Sequence, residues 1–296
     1  MSLKLSSNEE SFKRIGIICC EVFEDELLFV IKEHPEIGKI IIVNTESSNY
    51  FENIIRSNFP YEKIKIAREL FAPRYLKREE NLEIIVYILP LFLHYSPREL
   101  KDEVLNACRE LQKHSDYLLL YYGLCGNSLG NLEGMLKDNN VILPFGILKD
   151  ENKEIVDDCV CALLGSKANY LEILTKEPGT FFLTPGYASH WGLFSKRKIE
   201  TIGENRLKEV GDKLGIDNFD SVEMTKYLLR EADYNQIVAL EYICSNCTDY
   251  KNKCQTISSE VDLNLSYREG TIRLLHDSLE KAISEIKSNS VSKIIS

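Results

Sequence analysis

The sequence predicts an α/β fold: a mainly parallel sheet with helices on both faces and a helical elaboration toward the C-terminus. Three observations carry this. The runs RIGIICC (14–20), KIIIVN (39–44), LEIIVYILP (82–90) and YLLLYY (117–122) are continuously apolar rather than alternating, as strands are when both sheet faces are covered. Segments with helical spacing lie between them. The segment before the last of these runs opens on Ser96-Pro97-Arg98-Glu99: a cap, a first-turn proline and a capping-box acid. Strand, crossover helix, strand is the βαβ unit, so the arrangement expected is Rossmann-like.

The elements follow in order. After the strand at 14–20, ELLFVIKEH (26–34) reads as a helix; after the strand at 39–44, YFENIIRSNF (50–59) reads as another. The strand at 82–90 leads into the helix SPRELKDEVLNACRELQKH (96–114), in which Cys108 needs no explanation beyond burial. The strand at 117–122 ends at a glycine-rich turn. VDDCVCALLGS (156–166) reads as a short helix that Asp157 or Asp158 caps and Gly165 ends, with Cys161 turned to the core. FFLTPG (181–186) is a further strand, 201–234 is mostly helical and charged, and NQIVALEYI (235–243) is a strand or, by its period, a helix. REGTIRLLHDSLEKAISEIKS (268–288) is an amphipathic helix, and the tail SNSVSKIIS is expected to fray. One α/β domain over 1–296 is expected, with a core over about 14–192 and a C-terminal extension over 193–296.

Composition narrows the function. The chain has 296 residues, 44% of them hydrophobic, which is enough for a large core. A net charge of −10 argues against nucleic acid as the main partner. No run of about 18 apolar residues occurs, so no membrane span is expected. MSLKLSSNEESFKR lacks a signal core, so a cytoplasmic location is expected. Nine cysteines, an odd number in such a chain, favour metal ligands or reactive thiols over structural disulfides. A Walker loop, GxGxxG, GxSxG and HExxH are all absent.

Ligands of an open parallel sheet bind beyond the carboxyl ends of its strands. After the first strand come Cys19-Cys20-Glu21; after 82–90 comes His94; after 117–122 come Gly123-Leu124-Cys125-Gly126-Asn127. The glycines let the backbone turn sharply and let a ligand approach. Cys159, in the first turn of its helix, is expected to gain thiolate character from the helix dipole. Soft thiols with an imidazole suit zinc or an iron–sulfur centre, so Cys20, His94, Cys125 and Cys159 form the candidate metal set. The competing reading is that each is locally structural. His190 and Trp191, after PGTFFLTPG, are candidates to line a pocket, with Trp191 as a core anchor the alternative. EYICSNCTDYKNKC (241–254) holds Cys244, Cys247 and Cys254, a second candidate metal site that lacks an obvious fourth ligand.

YGLCGNSLGNLEG, the DDCVCALLGS segment and PGTFFLTPGY together resemble an uncharacterised family of bacterial and archaeal proteins that carries YGLCGN, HDC or DDC followed by LLGS, and PGTYYLTPGW. The likeness covers about residues 84–192, and ICCEVF and LHYSP also resemble the family. It implies functional roles for Cys20, His94, Cys125, Asp158 and Cys159, with Gly123, Gly126 and Asn127 binding a cofactor. The family is often found beside corrinoid-dependent methyltransferase genes. Two departures stand out: the segment PFGILKDENKEIVDDC is longer and acidic, and Tyr187 stands where the family often has Trp. The expectation is a protein of one-carbon or corrinoid-linked metabolism with zinc or iron at a thiolate site, acting in methyl transfer. Cys125 and Asp158 would take part in the chemistry, and a small-molecule substrate or a corrinoid protein would be the partner. The alternatives are a corrinoid-binding or small-ligand carrier under Trp191 and an iron–sulfur redox protein built on Cys244, Cys247 and Cys254.

Overall fold

β1 (Lys13–Cys20), β2 (Lys39–Val43), β3 (Ile64–Ala67), β4 (Leu82–Leu89), β5 (Tyr117–Tyr121) and β6 (Phe145–Ile147) pair into one sheet in the order β3-β2-β4-β1-β5-β6. Each of these pairings is parallel. This computed structural model describes residues 13–67, 82–192, 220–245 and 248–295, together with 78, 80, 209, 211–213 and 215. The four predicted strands are all present. β3 and β6, which are short and lie at the sheet edges, carry too little apolar sequence to be seen by pattern alone.

The connecting helices are α1 (Glu24–Lys32), α2 (Asn49–Asn58), α3 (Pro97–Leu111) and α4 (Leu132–Asp138). The Ser96 hydroxyl accepts a hydrogen bond from Glu99 N at 3.4 Å and Pro97 is the first helical residue, as its sequence predicts. The chain leaves β1 toward β2 but leaves β4 and β5 in the other direction across the sheet. Right-handed crossovers then put α1 and α2 on one face and α3 and α4 on the other. Because the connections after β1 and β5 diverge, a crevice opens at their carboxyl ends.

The C-terminal part carries the expected helices and adds strands to them. β7 (Thr180–Leu183), β8 (Gln236–Glu241) and β9 (Asn264–Glu269) form a second parallel sheet in the order β7-β8-β9. The stretch 235–243 is thus a strand, and residues 268–269, expected in a helix, close β9. β9 was hidden because its side chains are mostly exposed and polar. α5 (Cys159–Leu163), α6 (Lys167–Lys176), α7 (185–192), α8 (Ser221–Glu231), α9 (Thr248–Val261) and α10 (Arg273–Ile295) are further helices. The tail expected to fray continues α10 to Ile295. α10 packs on β1, β5 and β6 beside α1 and α5, and the Tyr121 hydroxyl donates to Leu275 O at 2.8 Å within the core. Among the described residues no helix is long and apolar enough to cross a membrane.

The amino edge of the central strands is fixed by charge. Arg14 and Glu83, register partners on β1 and β4, are both 1% exposed and form a buried ion pair, with Nε donating to Oε2 at 2.7 Å. Arg14 also donates to His114 O at 3.3 Å, which ties the pair to the end of α3. Removing one partner strands the other charge in the core. Arg14→Met is expected to lose about 3–5 kcal/mol of stability in urea unfolding, and the double change with Glu83→Leu to recover most of it.

Candidate thiol site

Gly123 sets the geometry. A Cβ at this position would lie 2.4 Å from Val156 O and 2.9 Å from Asp158 N, so only glycine lets the turn after β5 press against the chain before α5. The two segments are joined by backbone hydrogen bonds of 2.8 Å from Leu124 N to Val156 O and from Cys125 N to Asp157 O. Cys125, Gly126 and Asn127 then follow one another in the left-handed region, with φ of 46°, 65° and 66°. Gly126 faces open space, so φ alone calls for glycine there, whereas the Asn127 side chain lies over Gly130. A cysteine at positive φ is uncommon and costs on the order of 1 kcal/mol or more, which marks the turn as a place where backbone strain is kept.

This seam delivers Cys125 and Cys159 to the crevice where β1 ends in Cys20. The three thiols influence one another. Burial is the main force raising the Cys20 thiol, with Cys159 its strongest electrostatic neighbour and Cys125 also acting on it. Burial pushes Cys125 up to about 12, with the Asp158 carboxylate adding to it. Burial, Asp158 and Cys125 together raise Cys159 well above a normal thiol. The helix dipole was expected to favour a thiolate at Cys159. The opposite holds because α5 is one short turn and desolvation outweighs its dipole. At neutral pH the three thiols are therefore protonated. Cys159 Sγ donates to the Tyr187 hydroxyl at 3.7 Å.

Asp158 has a fixed task. It caps α5, Oδ1 accepting from Cys161 N at 2.8 Å, while Oδ2 accepts from the Tyr170 hydroxyl at 2.9 Å. With both oxygens engaged it positions Cys159 and is poorly placed to act as a base. His94, in the turn Leu91–Tyr95, has Nδ1 2.9 Å from Leu91 O. A carbonyl oxygen only accepts, so Nδ1 carries the proton and Nε2 keeps its lone pair. Burial lowers the His94 pKa, so the ring is neutral at pH 7. It stacks on Tyr122 with centroids 6.2 Å apart. The Tyr122 hydroxyl is buried, and the thiols of Cys20 and Cys125 are among the groups that bear on it.

Residues outside the candidate metal set hold these parts together. Glu21, buried directly after Cys20, accepts from Leu91 N at 2.7 Å, so one carboxylate anchors the turn whose carbonyl holds His94. Gly186 lies against the Val22 carbonyl, where a Cβ would come within 2.0 Å, and this docks α7 on the site. α7 then offers Tyr187 to Cys159 and, one turn on, His190 to Glu24, with Nε2 and Oε2 2.9 Å apart. The Glu24 carboxyl is raised to about 7, chiefly by burial against the opposing pull of His190. The acid-rich run after Cys20 was the available signal; burial of those acids was not readable from it.

The remaining candidates stand elsewhere. Trp191 donates its indole N–H to Glu260 at 3.1 Å and packs edge-on against Phe181, in a second apolar cluster, rather than over the thiols. Cys254 is buried in that same cluster, whereas Cys244 packs against the main core. Cys247 lies outside the described residues. Every cysteine among the described residues is a free thiol. The donor set Cys20, Cys125, Cys159 and His94 fits a soft metal by chemistry. Among the described residues, however, no three of these side chains bring their ligand atoms within 4.8 Å of one another.

Residues 88–279 match a family described as "Protein of unknown function (DUF1638)", a span that holds His94, Cys125, Asp158 and Cys159 but not Cys20. No curated protein and no solved structure matches the chain.

Gly123→Ala is expected to lose at least about 3 kcal/mol in chemical unfolding, because the new methyl meets backbone on both sides. Gly126→Ala, limited by φ alone, is expected to lose about 1 kcal/mol. Glu26, beside Glu24 in α1, is fully buried and hydrogen-bonded to Tyr242, and burial raises its carboxyl to about 8 from an ordinary 4.5. The folded state holds that proton more tightly than the unfolded one. The resulting stability is complete below pH 4.5 and lost as pH rises through 8. Unfolding measured from pH 5 to 9 should lose on the order of 3 kcal/mol over this window, and Glu26→Gln should flatten the slope.

Proposed function

The chain belongs to the DUF1638 family of proteins of unknown function, and from its geometry we propose that Cys20, Cys125 and Cys159, with His94 as the imidazole donor, hold a soft metal ion, zinc or iron. One observation supports this reading: the thiols of Cys20, Cys125 and Cys159 come from three separate segments and act on one another at the carboxyl edge of the sheet, where His94 stacks on the adjoining Tyr122. A core cysteine needs no second thiol beside it, and three neutral thiols near the half-buried carboxylate of Asp158 gain nothing from their proximity. A dication that displaces their protons gives the arrangement a purpose. Loading would require the side chains to draw together from their separation here, at the strained turn of Cys125–Asn127.

The residues around the donors have definable work. Leu91 O fixes the His94 tautomer so that Nε2 offers its lone pair. Asp158 and Tyr170 hold the start of α5, and so the Cys159 backbone. The Tyr187 hydroxyl sits where it can exchange a proton with the Cys159 sulfur. Burial keeps bulk water out. A metal bound here would keep a thiolate ionised at neutral pH and so supply a nucleophile for methyl transfer. The assignment to one-carbon or corrinoid-linked metabolism, with a small substrate or a corrinoid protein as partner, rests on the sequence resemblance.

Protein purified anaerobically is expected to carry about one equivalent of metal per chain by elemental analysis. Cys125→Ser and Cys159→Ser should each lower that content more than tenfold, and Cys108→Ser, in the middle of α3, should leave it unchanged. Full metal content in Cys125→Ser would exclude the proposed site. Because up to three protons leave with loading, affinity should rise steeply with pH between 6 and 8.

A further inference from the structure

Away from the thiol cluster, β6 and α10 enclose a cavity of about 340 Å³ that owes its space to a missing side chain. Successive residues of a strand face opposite sides of the sheet. Tyr121 points to the side of α10, where its hydroxyl reaches Leu275 O, so Tyr117 and Leu119 share that side. Gly146 is the register partner of Leu119 and faces α10 with it. A Cβ there would come 2.9 Å from the Tyr117 hydroxyl and 3.3 Å from Leu119, so glycine leaves open the space that a side chain of β6 would fill. Leu119 and Leu274 give the cavity an apolar floor, and its volume is that of a small-molecule site.

The rim supplies charge, and its two signs are not equally occupied. Asp150 is buried and spends its carboxylate on backbone: Oδ1 accepts from Asn152 N at 2.9 Å and Glu154 N at 3.1 Å, and Oδ2 accepts from Lys167 N at 3.3 Å. Glu151 and Asp277 both face Arg273, at 3.6 and 3.8 Å. Lys281 faces Glu285 at 3.8 Å. Lys149 and Lys153 also line the cavity, and among the described residues neither has an ion pair. The hairpin that bears them is fixed. Lys149 bridges Ile155, Asp150 N donates to Glu154 O at 2.9 Å, and Lys153 closes the turn at φ 65° with its N–H on Asp150 O at 2.9 Å. Two lysines without a counter-charge thereby line an apolar cavity, in a chain whose net charge is −10.

We propose that this cavity binds a small organic anion, with an apolar body on Leu119 and Leu274 in the space left by Gly146 and a carboxylate or phosphate head at Lys149 and Lys153. An oxyanion head answers the unpaired charge, and lysines hold such a head as point charges, whether it is a carboxylate or a phosphate. A cationic ligand has no equivalent partner, because the carboxylates of the rim are already engaged. The apolar floor selects against a bare inorganic anion, which would leave it wet. The site goes beyond the thiol reading and shares no residue with it.

The test uses the full chain, with naphthoate and naphthyl phosphate as probes of the two heads, naphthalenemethanol as the neutral body and inorganic phosphate as the head alone. Affinity is read by titration calorimetry, and the site is located by nuclear magnetic resonance from the amide shifts of Gly146, Lys149 and Lys153. At least one naphthyl anion should bind with one equivalent per chain, at least tenfold tighter than naphthalenemethanol or inorganic phosphate, and the tighter of the two identifies the head. Lys149→Glu with Lys153→Glu, both at exposed positions, should weaken binding at least tenfold, and the same pair changed to arginine should keep it. Ser278 lines the cavity from α10, where its hydroxyl bonds only Leu274 O of its own helix, so Ser278→Phe should fill the space and abolish binding. Cys125→Ser should bind as wild type does. The site is overturned if neither anion binds saturably, if naphthalenemethanol binds as tightly, or if the paired glutamate variant keeps wild-type affinity.

Discussion

Two backbone hydrogen bonds, between the turn after β5 and the chain before α5, decide where the thiols of the crevice stand. They form only because residue 123 lacks a Cβ, which lets two peptide planes approach to the distance of a strand pair. Cys125 and Cys159, 34 positions apart in the chain, are thereby held across one seam. Cys20 is brought to the same edge by the parallel pairing of β1 with β4 and β5. The left-handed turn at Cys125–Asn127 follows directly, since the chain must reverse immediately after the seam to reach α4.

The site is governed by desolvation more than by fixed charge. The short helix α5 and the glycine turn both offer dipoles that favour a thiolate, yet the thiols of Cys20, Cys125 and Cys159 are all raised. Taking an anion out of water costs more than one helical turn or a few amides return. The acids at the start of α1 obey the same balance. Glu21 and Glu24 each accept a backbone N–H, and Glu24 also meets His190, but Glu24 and Glu26 still hold their protons to near-neutral pH. The structure surrounding the crevice is thus one in which neutral forms are favoured and a cation would change the protonation of several groups.

The two edges of the central sheet are built differently. The amino edge is closed by Arg14, Glu83 and Asp116, a network of full charges that fixes β1 against β4 and the end of α3. The carboxyl edge holds thiols, phenols and partly neutral acids. The second sheet bears on this edge through α7. β7 ends at Leu183, Thr184 accepts from Tyr187 N at 3.1 Å, and Gly186 seats the helix on Val22. Packing of the smaller sheet is therefore what carries Tyr187 and His190 to their partners.

The sequence by itself determined the central strands, α1 to α3, the cap at Ser96, the short helix begun by Asp158 and the strand-end positions of Cys20, His94 and Cys125. These depend on periodicity, on caps and on the rule that parallel strands present their carboxyl ends together, all of which act over a few residues or follow from topology. Only the tertiary structure decided the rest. β3, β6 and β9 exist because neighbouring strands offer free hydrogen-bonding edges, which local sequence does not record. Trp191 went to the second apolar cluster because Phe181 and Glu260 were there to receive it. The protonation of the thiols and of Glu24 and Glu26 depends on how much water the surrounding elements exclude. That is a property of the assembled fold, with no trace in the order of the residues.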